Sequence, residues 1–238
     1  QGVKYPSGFR IPDDAQARHL LDLARDLGIN LIDTAPAYGV SEQRLGPLLL
    51  GQRDHWVVVS KVGEEFVDGQ SQFDFSPAHT RFSVERSLQR LKTDRIELVL
   101  VHSDGRDLDI LQNSGVYETL AELKREGKIL GYGLSGKTVE GGLFALEQGD
   151  CAMVTYNLNE QAERPVLDYA QANAKGILVK KALASGHVCL KPDEDPVRLS
   201  FELLFSHPGV GAAIIGTINP QHLSANVRTA ASVLSQQQ

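Results

Sequence analysis

Short apolar runs alternate with stretches of helical periodicity along this chain. The runs Ile29 to Thr34, Trp56 to Ser60, Glu97 to Val101, Ile129 to Leu134, Ala152 to Asn157, Ile177 to Lys180 and Ala212 to Ile215 are almost continuously hydrophobic. That is the pattern of parallel strands covered on both faces. Between them apolar residues recur at helical spacing, as in Ala17, Leu20, Leu21, Ala24 and Leu27, with Gly28 as the stop. Ser76-Pro77, Asp195-Pro196 and Asn219-Pro220 each set an N-cap residue before a proline suited to the first helical position, and so predict three helix starts.

The series opens with a helix, about Asp13 to Leu27, so a strand–helix alternation calls for one further strand ahead of residue 1. The expectation is therefore α/β, a (β/α)8 TIM barrel whose first barrel strand is absent from this chain through truncation, disorder or processing. A doubly wound open sheet is the rival, since it needs nothing missing. The barrel is preferred for the chemistry described below. No linker, repeat or second domain is evident, and residues 1–238 read as a single domain.

Composition narrows the class of function. With 238 residues, 42% hydrophobic and 23% charged, the chain can bury a sizeable core. A formal charge of -6 gives no footprint for nucleic acid, and no Lys/Arg cluster suggests a membrane surface. No apolar run approaches the ~18 residues of a membrane span, and QGVKYPSGF lacks the regions of a signal peptide. A cytoplasmic protein acting on small molecules is expected. Cys151 and Cys189 stand far apart without metal-ligand spacing, so neither a disulfide framework nor a metal site is indicated.

Chemistry concentrates where the apolar runs end. Asp33 closes the first run and Tyr38 lies in the turn after it; Lys61 closes the second and His102 the third. In a parallel barrel those ends share the face on which active sites are built. Hydride addition to a carbonyl develops an alkoxide, which a phenol can protonate. A tyrosine ordinarily holds its proton to a pKa of about 10, and a buried ammonium nearby would lower that value. Lys61 suits that task, Asp33 would keep it charged and in place, and His102 could donate to the substrate oxygen. Singly, such residues are caps, solvated charges or structural histidines. Together, at three successive strand ends, they read as a catalytic set. His19, His55, His79, His187 and His207 lack that context and read as surface or packing residues.

The segments GINLIDTA (Gly28 to Ala35), Tyr38-Gly39, Ser41-Glu42 and Leu45-Gly46, then Lys61 and His102, resemble the aldo-keto reductase family over nearly the whole chain. The resemblance implies a reductase moving a hydride from NAD(P)H to an aldehyde or ketone. Asp33, Tyr38, Lys61 and His102 would be its catalytic tetrad, with Tyr38 the proton donor and Asp33 also close to the cofactor. It further implies that Ser135 hydrogen-bonds the nicotinamide carboxamide. Family members usually carry asparagine next, where this chain has Gly136, and a second amide anchor is replaced by Met153, leaving Asn157 as the nearest amide.

The literal G-x-G-x-x-G at Gly131 to Gly136 is discounted as a Rossmann fingerprint. Its glycines fall within and at the end of a strand pattern, and the acidic residue expected ~20 positions on is missing. Phosphate is expected instead at the loops after the last two strands. These hold Leu183, Ser185 and Gly186, then Gly216, Thr217 and Asn219, whose Asn219-Pro220 opens a helix. By resemblance, Gly216 and His222 stand where basic residues hold the 2′-phosphate of NADP, and Thr217 and Asn226 match positions at the adenosine end. NADPH is expected on family habit, with NADH possible. The competing functions are a cofactor-binding regulatory subunit with little turnover and a Schiff-base aldolase using Lys61 or Lys180. The short polar tail from Ala231 to Gln238 suggests an open pocket. Substrate identity and oligomeric state are not legible.

Overall fold

Alternation along each strand decides what this fold does with its side chains. The computed structural model describes residues 10–184 and 195–236. In chain order its elements are α1 (Asp14–Asp26), β1 (Leu31–Asp33), α2 (Ser41–Leu48), a 3-10 turn (Arg53–His55), β2 (Val57–Val62), β3 (Glu64–Val67), β4 (Gln70–Phe73), α3 (Pro77–Leu91) and β5 (Ile96–His102). They continue with α4 (Asp107–Asn113), α5 (Val116–Arg125), β6 (Ile129–Ser135), α6 (Val139–Gln148), β7 (Cys151–Thr155), α7 (Arg164–Ala172), β8 (Gly176–Lys180), α8 (Pro196–Phe205), β9 (Ala212–Ala213) and α9 (Pro220–Ser235).

Seven strands form one parallel sheet in the order β1-β2-β5-β6-β7-β8-β9. One set of their side chains, Val59, Leu100, Cys151, Met153 and Leu178 with Leu31, Leu98, Ala212 and Ile214, packs into a single cluster. Leu31 belongs to β1 and Ala212 to β9, so the two edge strands share one core, and α1 packs against α9 outside them. The sheet is therefore curled, as seven strands of a (β/α)8 barrel, and not spread open as in a doubly wound fold. Residues of the opposite parity, such as Val58, Val99, Val101, Leu134, Val154 and Val179, face two clusters shared with the helices. No strand joins β1 to β9 among the described residues.

The helix starts follow from local chemistry. Asp13 and Gln16 form a reciprocal capping box on α1, at 2.8 and 3.0 Å. Ser76, Asp195 and Asn219 cap α3, α8 and α9, each with proline in the first turn. Three expectations need correction. The last predicted strand is only two residues long, although Ile214 N–H still donates to Val179 O at 2.8 Å. Asn157 is not part of a strand, because β7 ends at Thr155 and the chain turns back to pair Asn157 with Glu160. The hairpin β3–β4 was not anticipated, although Asp68-Gly69 between two short runs is a strong hairpin signal. Both turn residues have positive φ, 50° and 81°, as a two-residue primed turn requires.

Candidate functional site

Parity carries the chemical groups inward. Asp33, Lys61, His102, Ser135 and Lys180 have the same strand phase as Leu31, Val59, Leu100, Met153 and Leu178, and they stand at or near the C-terminal strand ends. Such a cap of polar residues on an apolar interior is the usual floor of a barrel site. Lys61 is 1% exposed, and its Nζ donates to Asp33 Oδ1 at 2.6 Å and to Thr34 O at 2.9 Å. Burial lowers the Lys61 pKa, while the charge and hydrogen bond of Asp33 oppose that shift, helped by Glu64 and Glu42.

Tyr38 is set by the turn joining β1 to α2, where its N–H donates to Ala35 O and its carbonyl accepts from Ser41 N–H. The Thr34 and Ser41 hydroxyls, 2.9 Å apart, brace that turn. Its ring centroid lies 4.9 Å from Lys61 Nζ and 6.1 Å from that of His102, which it meets edge to face at 89°. At 39% exposure Tyr38 is the open member of the group. The four predicted catalytic residues are thus brought together by three strands and one turn.

A fifth ionisable residue, not foreseen from the sequence, joins them. Glu64 opens β3 immediately after Gly63, whose φ of 99° turns the chain out of β2. Glu64 is 2% exposed; one carboxylate oxygen accepts from Ser71 Oγ at 2.6 Å, and the other lies 2.7 Å from His102 Nδ1. The Asp68-Gly69 turn was the available clue, because it folds β4 back and brings Ser71 to Glu64.

Beyond His102, Ser135 ends β6 and pairs in register with both His102 and Met153. The ammonium of Lys180 donates to Ser135 Oγ at 3.2 Å and to Gly136 O at 2.6 Å. Desolvation lowers the Lys180 pKa to about 8, against the favourable charge of Glu163 and with the repulsion of Lys181. Glu163 accepts from Thr155 N–H at 2.7 Å, and burial raises its own pKa. Gly136 has a steric reason to lack a side chain. A Cβ there would stand 2.8 Å from Asp107 Oδ2 and 2.8 Å from Leu134 Cδ2. Asp107 Oδ2 is already occupied, accepting from Lys137 N–H, Thr138 N–H and the Thr138 hydroxyl at 2.7–2.9 Å.

The remaining expected cofactor residues divide into two groups. Asn157 turns its amide N–H to Lys181 O at 3.1 Å and accepts from Asn159 N–H at 2.9 Å, so it braces the loop after β8. Leu183 packs on the helix-side core, while Ser185 and Gly186 lie outside the described residues. Gly216, Thr217 and Asn219 lie in the loop before α9, and His222 and Asn226 in its first two turns. Thr217 Oγ1 accepts from Asn219 N–H at 3.1 Å, and Asn219 Oδ1 caps Gln221 and His222 at 2.8 and 3.3 Å. A Cβ added at Gly216 would meet nothing within 4 Å, which leaves open space there. A cavity of about 440 Å3 lies beside this loop, lined by Arg10, Pro12 and His19 with Ile218 and Pro220. Arg10 is a permanent cation that lies some two hundred residues from this loop in the chain and is brought to it by the fold.

Among the described residues no group of three or more His, Cys, Asp or Glu could hold a metal ion, and no helix is long and apolar enough to cross a membrane. Cys151 is a buried thiol whose pKa desolvation raises to about 12; Cys189 lies outside the described residues.

Comparison with known proteins agrees with the geometry. A solved structure from Pseudomonas aeruginosa, assigned as an aldo-keto reductase, is 73% identical with a TM-score of 0.90, covering 98% of this chain and 88% of that one. The D-threo-aldose 1-dehydrogenase of a Pseudomonas species is 31% identical over 75% of this chain and 63% of its own length. The NADH-specific methylglyoxal reductase of Escherichia coli K12 is 32% identical over 63% of this chain and 48% of its own. The profile of the Aldo/keto reductase family matches residues 6–196, and the chain belongs to that family.

Proposed function

We propose that this oxidoreductase is an NAD(P)H-dependent carbonyl reductase that converts an aldehyde or ketone to an alcohol, with Tyr38 as proton donor. The observation that carries the reading is the buried Lys61 ammonium, held by Asp33 at 2.6 Å and set 4.9 Å from the Tyr38 ring. An ammonium beside a phenol favours release of the phenolic proton. Asp33 offsets the burial of that ammonium and fixes its direction. Edge-on to Tyr38, His102 orients the substrate oxygen.

A bound nicotinamide dinucleotide would supply the hydride. Asp33, Ser135 and Asn157 would lie at its nicotinamide end, and Leu183, Ser185 and Gly186 along its phosphates. Gly216, Thr217, Asn219, His222 and Asn226 would lie towards the adenosine. The open space at Gly216 ahead of the N-terminus of α9 suits a phosphate through the helix dipole, although Asn219 already caps the Gln221 and His222 N–H groups. NADPH is the preferred cofactor on this reading, with Arg10 beside that loop in support, and NADH is the alternative. The substrate is a small carbonyl compound, and the enzyme works as a single cytoplasmic domain without nucleic acid or membrane partners.

The relatives include a dehydrogenase and a reductase, so both directions of one hydride transfer are consistent with this site. Schiff-base chemistry is a second reading only at Lys180, whose pKa of about 8 leaves amine available near neutrality. Lys61 is tied to Asp33 as an ammonium and is unsuited to it. The deciding experiment follows near-ultraviolet absorbance of NADPH, and separately NADH, with a reactive aromatic aldehyde. Oxidation of the cofactor that drops about 10²–10⁴-fold in Tyr38→Phe supports the reductase. Equal rates in the variant exclude the role given to Tyr38, and borohydride trapping of a substrate adduct would favour Lys180.

A further inference from the structure

We propose that Glu64 is a positioning residue that pins a proton on Nδ1 of His102, so that His102 can donate to the substrate oxygen only as a charged imidazolium. The inference rests on the reductase reading for its consequence in catalysis, but its geometry stands apart from it. One oxygen of the buried Glu64 carboxylate accepts from the Ser71 hydroxyl at 2.6 Å, and the other lies 2.7 Å from His102 Nδ1. An ionised carboxylate only accepts, so this close ion-pair contact favours a proton on Nδ1, although the two groups are not aligned as a hydrogen bond. A neutral ring holds one proton. With that proton on Nδ1, Nε2 on the far side is an acceptor and cannot donate to a carbonyl. Only the doubly protonated ring satisfies Glu64 and a substrate oxygen together.

The charged groups around the ring support this assignment. Lys61 and Asp33 are matched to each other at 2.6 Å, and Glu42 is turned to Arg90 at 3.3 Å. Lys180 reaches Ser135, the register neighbour of His102, and Asp104 is turned to Arg106 at 2.7 Å. The carboxylate of Glu64 is thus the charge set directly against the imidazole.

In reduction the carbonyl carbon receives hydride, with reduced nicotinamide as the reductant, and the electron pair of the C=O bond moves to oxygen. The imidazolium Nε2–H hydrogen-bonds that oxygen while Tyr38 transfers its proton to it. The reverse step retraces the same path, the alcohol proton passing to the Tyr38 phenolate and hydride leaving the carbon for the oxidised nicotinamide, with the imidazolium again bonded to oxygen. Glu64 therefore gives the reduction a pH dependence: it is fastest while the ring is charged and falls once the ring is neutral.

The test is a nuclear magnetic resonance titration of the His102 ring nitrogens in the protein without cofactor, assigned with His102→Gln, and repeated in Glu64→Gln. In the native protein the ring stays charged above the ordinary histidine range, and its neutral form carries the proton on Nδ1. In Glu64→Gln the titration moves about 1–3 pH units lower, the usual effect of losing an opposite charge at this range. The fall of kcat/KM for reduction with rising pH moves by the same amount. An unshifted titration, or a native neutral ring protonated on Nε2, overturns the proposal. The native tautomer alone decides this if Glu64→Gln does not fold. The predicted titration without turnover of any aldehyde would instead defeat the reductase reading and leave the Glu64–His102 pair standing.

Discussion

At the scale of single residues, Gly136 stands where the family resemblance led to an asparagine, and its lack of a side chain has a local cause. The Asp107 carboxylate and Leu134 fill the space that a side chain at 136 would enter. Gly136→Asn is therefore expected to lose about 1–3 kcal/mol of stability, the usual cost of overpacking, read as a lower urea midpoint. A variant as stable as the native protein would show that the loop yields. The catalytic candidates were legible because each closes an apolar run and belongs to a recognisable local text. Glu64 was not, since its partner His102 lies on β5 and the two meet only through the pairing of β2 with β5.

At the scale of elements, a single carboxylate ties the start of α4 to the loop between β6 and α6. Asp107 accepts from Ser103 Oγ on one oxygen and from Lys137 and Thr138 on the other. Asp107→Ala leaves buried donors without an acceptor, at about 1–3 kcal/mol for each one not rescued by water. Hydrogen exchange is expected to speed at the Lys137 and Thr138 amides while the amides of β2 keep their protection. Uniform loss across the sheet would instead make Asp107 a determinant of the whole fold. The glycine-rich text of β6 thus serves packing and this anchored loop, as its place in a strand suggested. Helix starts were readable because an N-cap and a proline act on their own first turn. Strand ends were less so: β1 is an edge strand with one paired neighbour among the described residues, and β7 stops where Asn157 turns back to Glu160.

At the scale of the molecule, curling the sheet brings distant positions into one environment, and two predictions follow from that. Lys180, on β8, reaches Ser135 and Gly136 across the barrel and is partly desolvated there. Its folded pKa of about 8 is below the ~10.4 of an unfolded lysine. Between those values the unfolded chain binds the extra proton, so the contribution of Lys180 to stability rises with pH across that window and is least favourable below it. The stability of the native protein relative to Lys180→Met is expected to improve from pH 7 to about pH 9.5, measured by urea unfolding at each pH; a constant difference would contradict it. Arg10 meets the α9 loop only because α1 packs beside α9. Arg10→Ala is expected to raise KM for NADPH about tenfold, equivalent to ~1.4 kcal/mol, with little change for NADH. Equal effects on both cofactors would remove the 2′-phosphate from that cavity. The sequence by itself determined the succession of strands and helices, the caps and the four strand-end groups, because each depends on neighbours a few residues away. Tertiary structure alone decided the curl of the sheet, the partner of His102, the seat of Lys180 and the approach of Arg10, because each requires segments far apart in the chain to share a low-dielectric space.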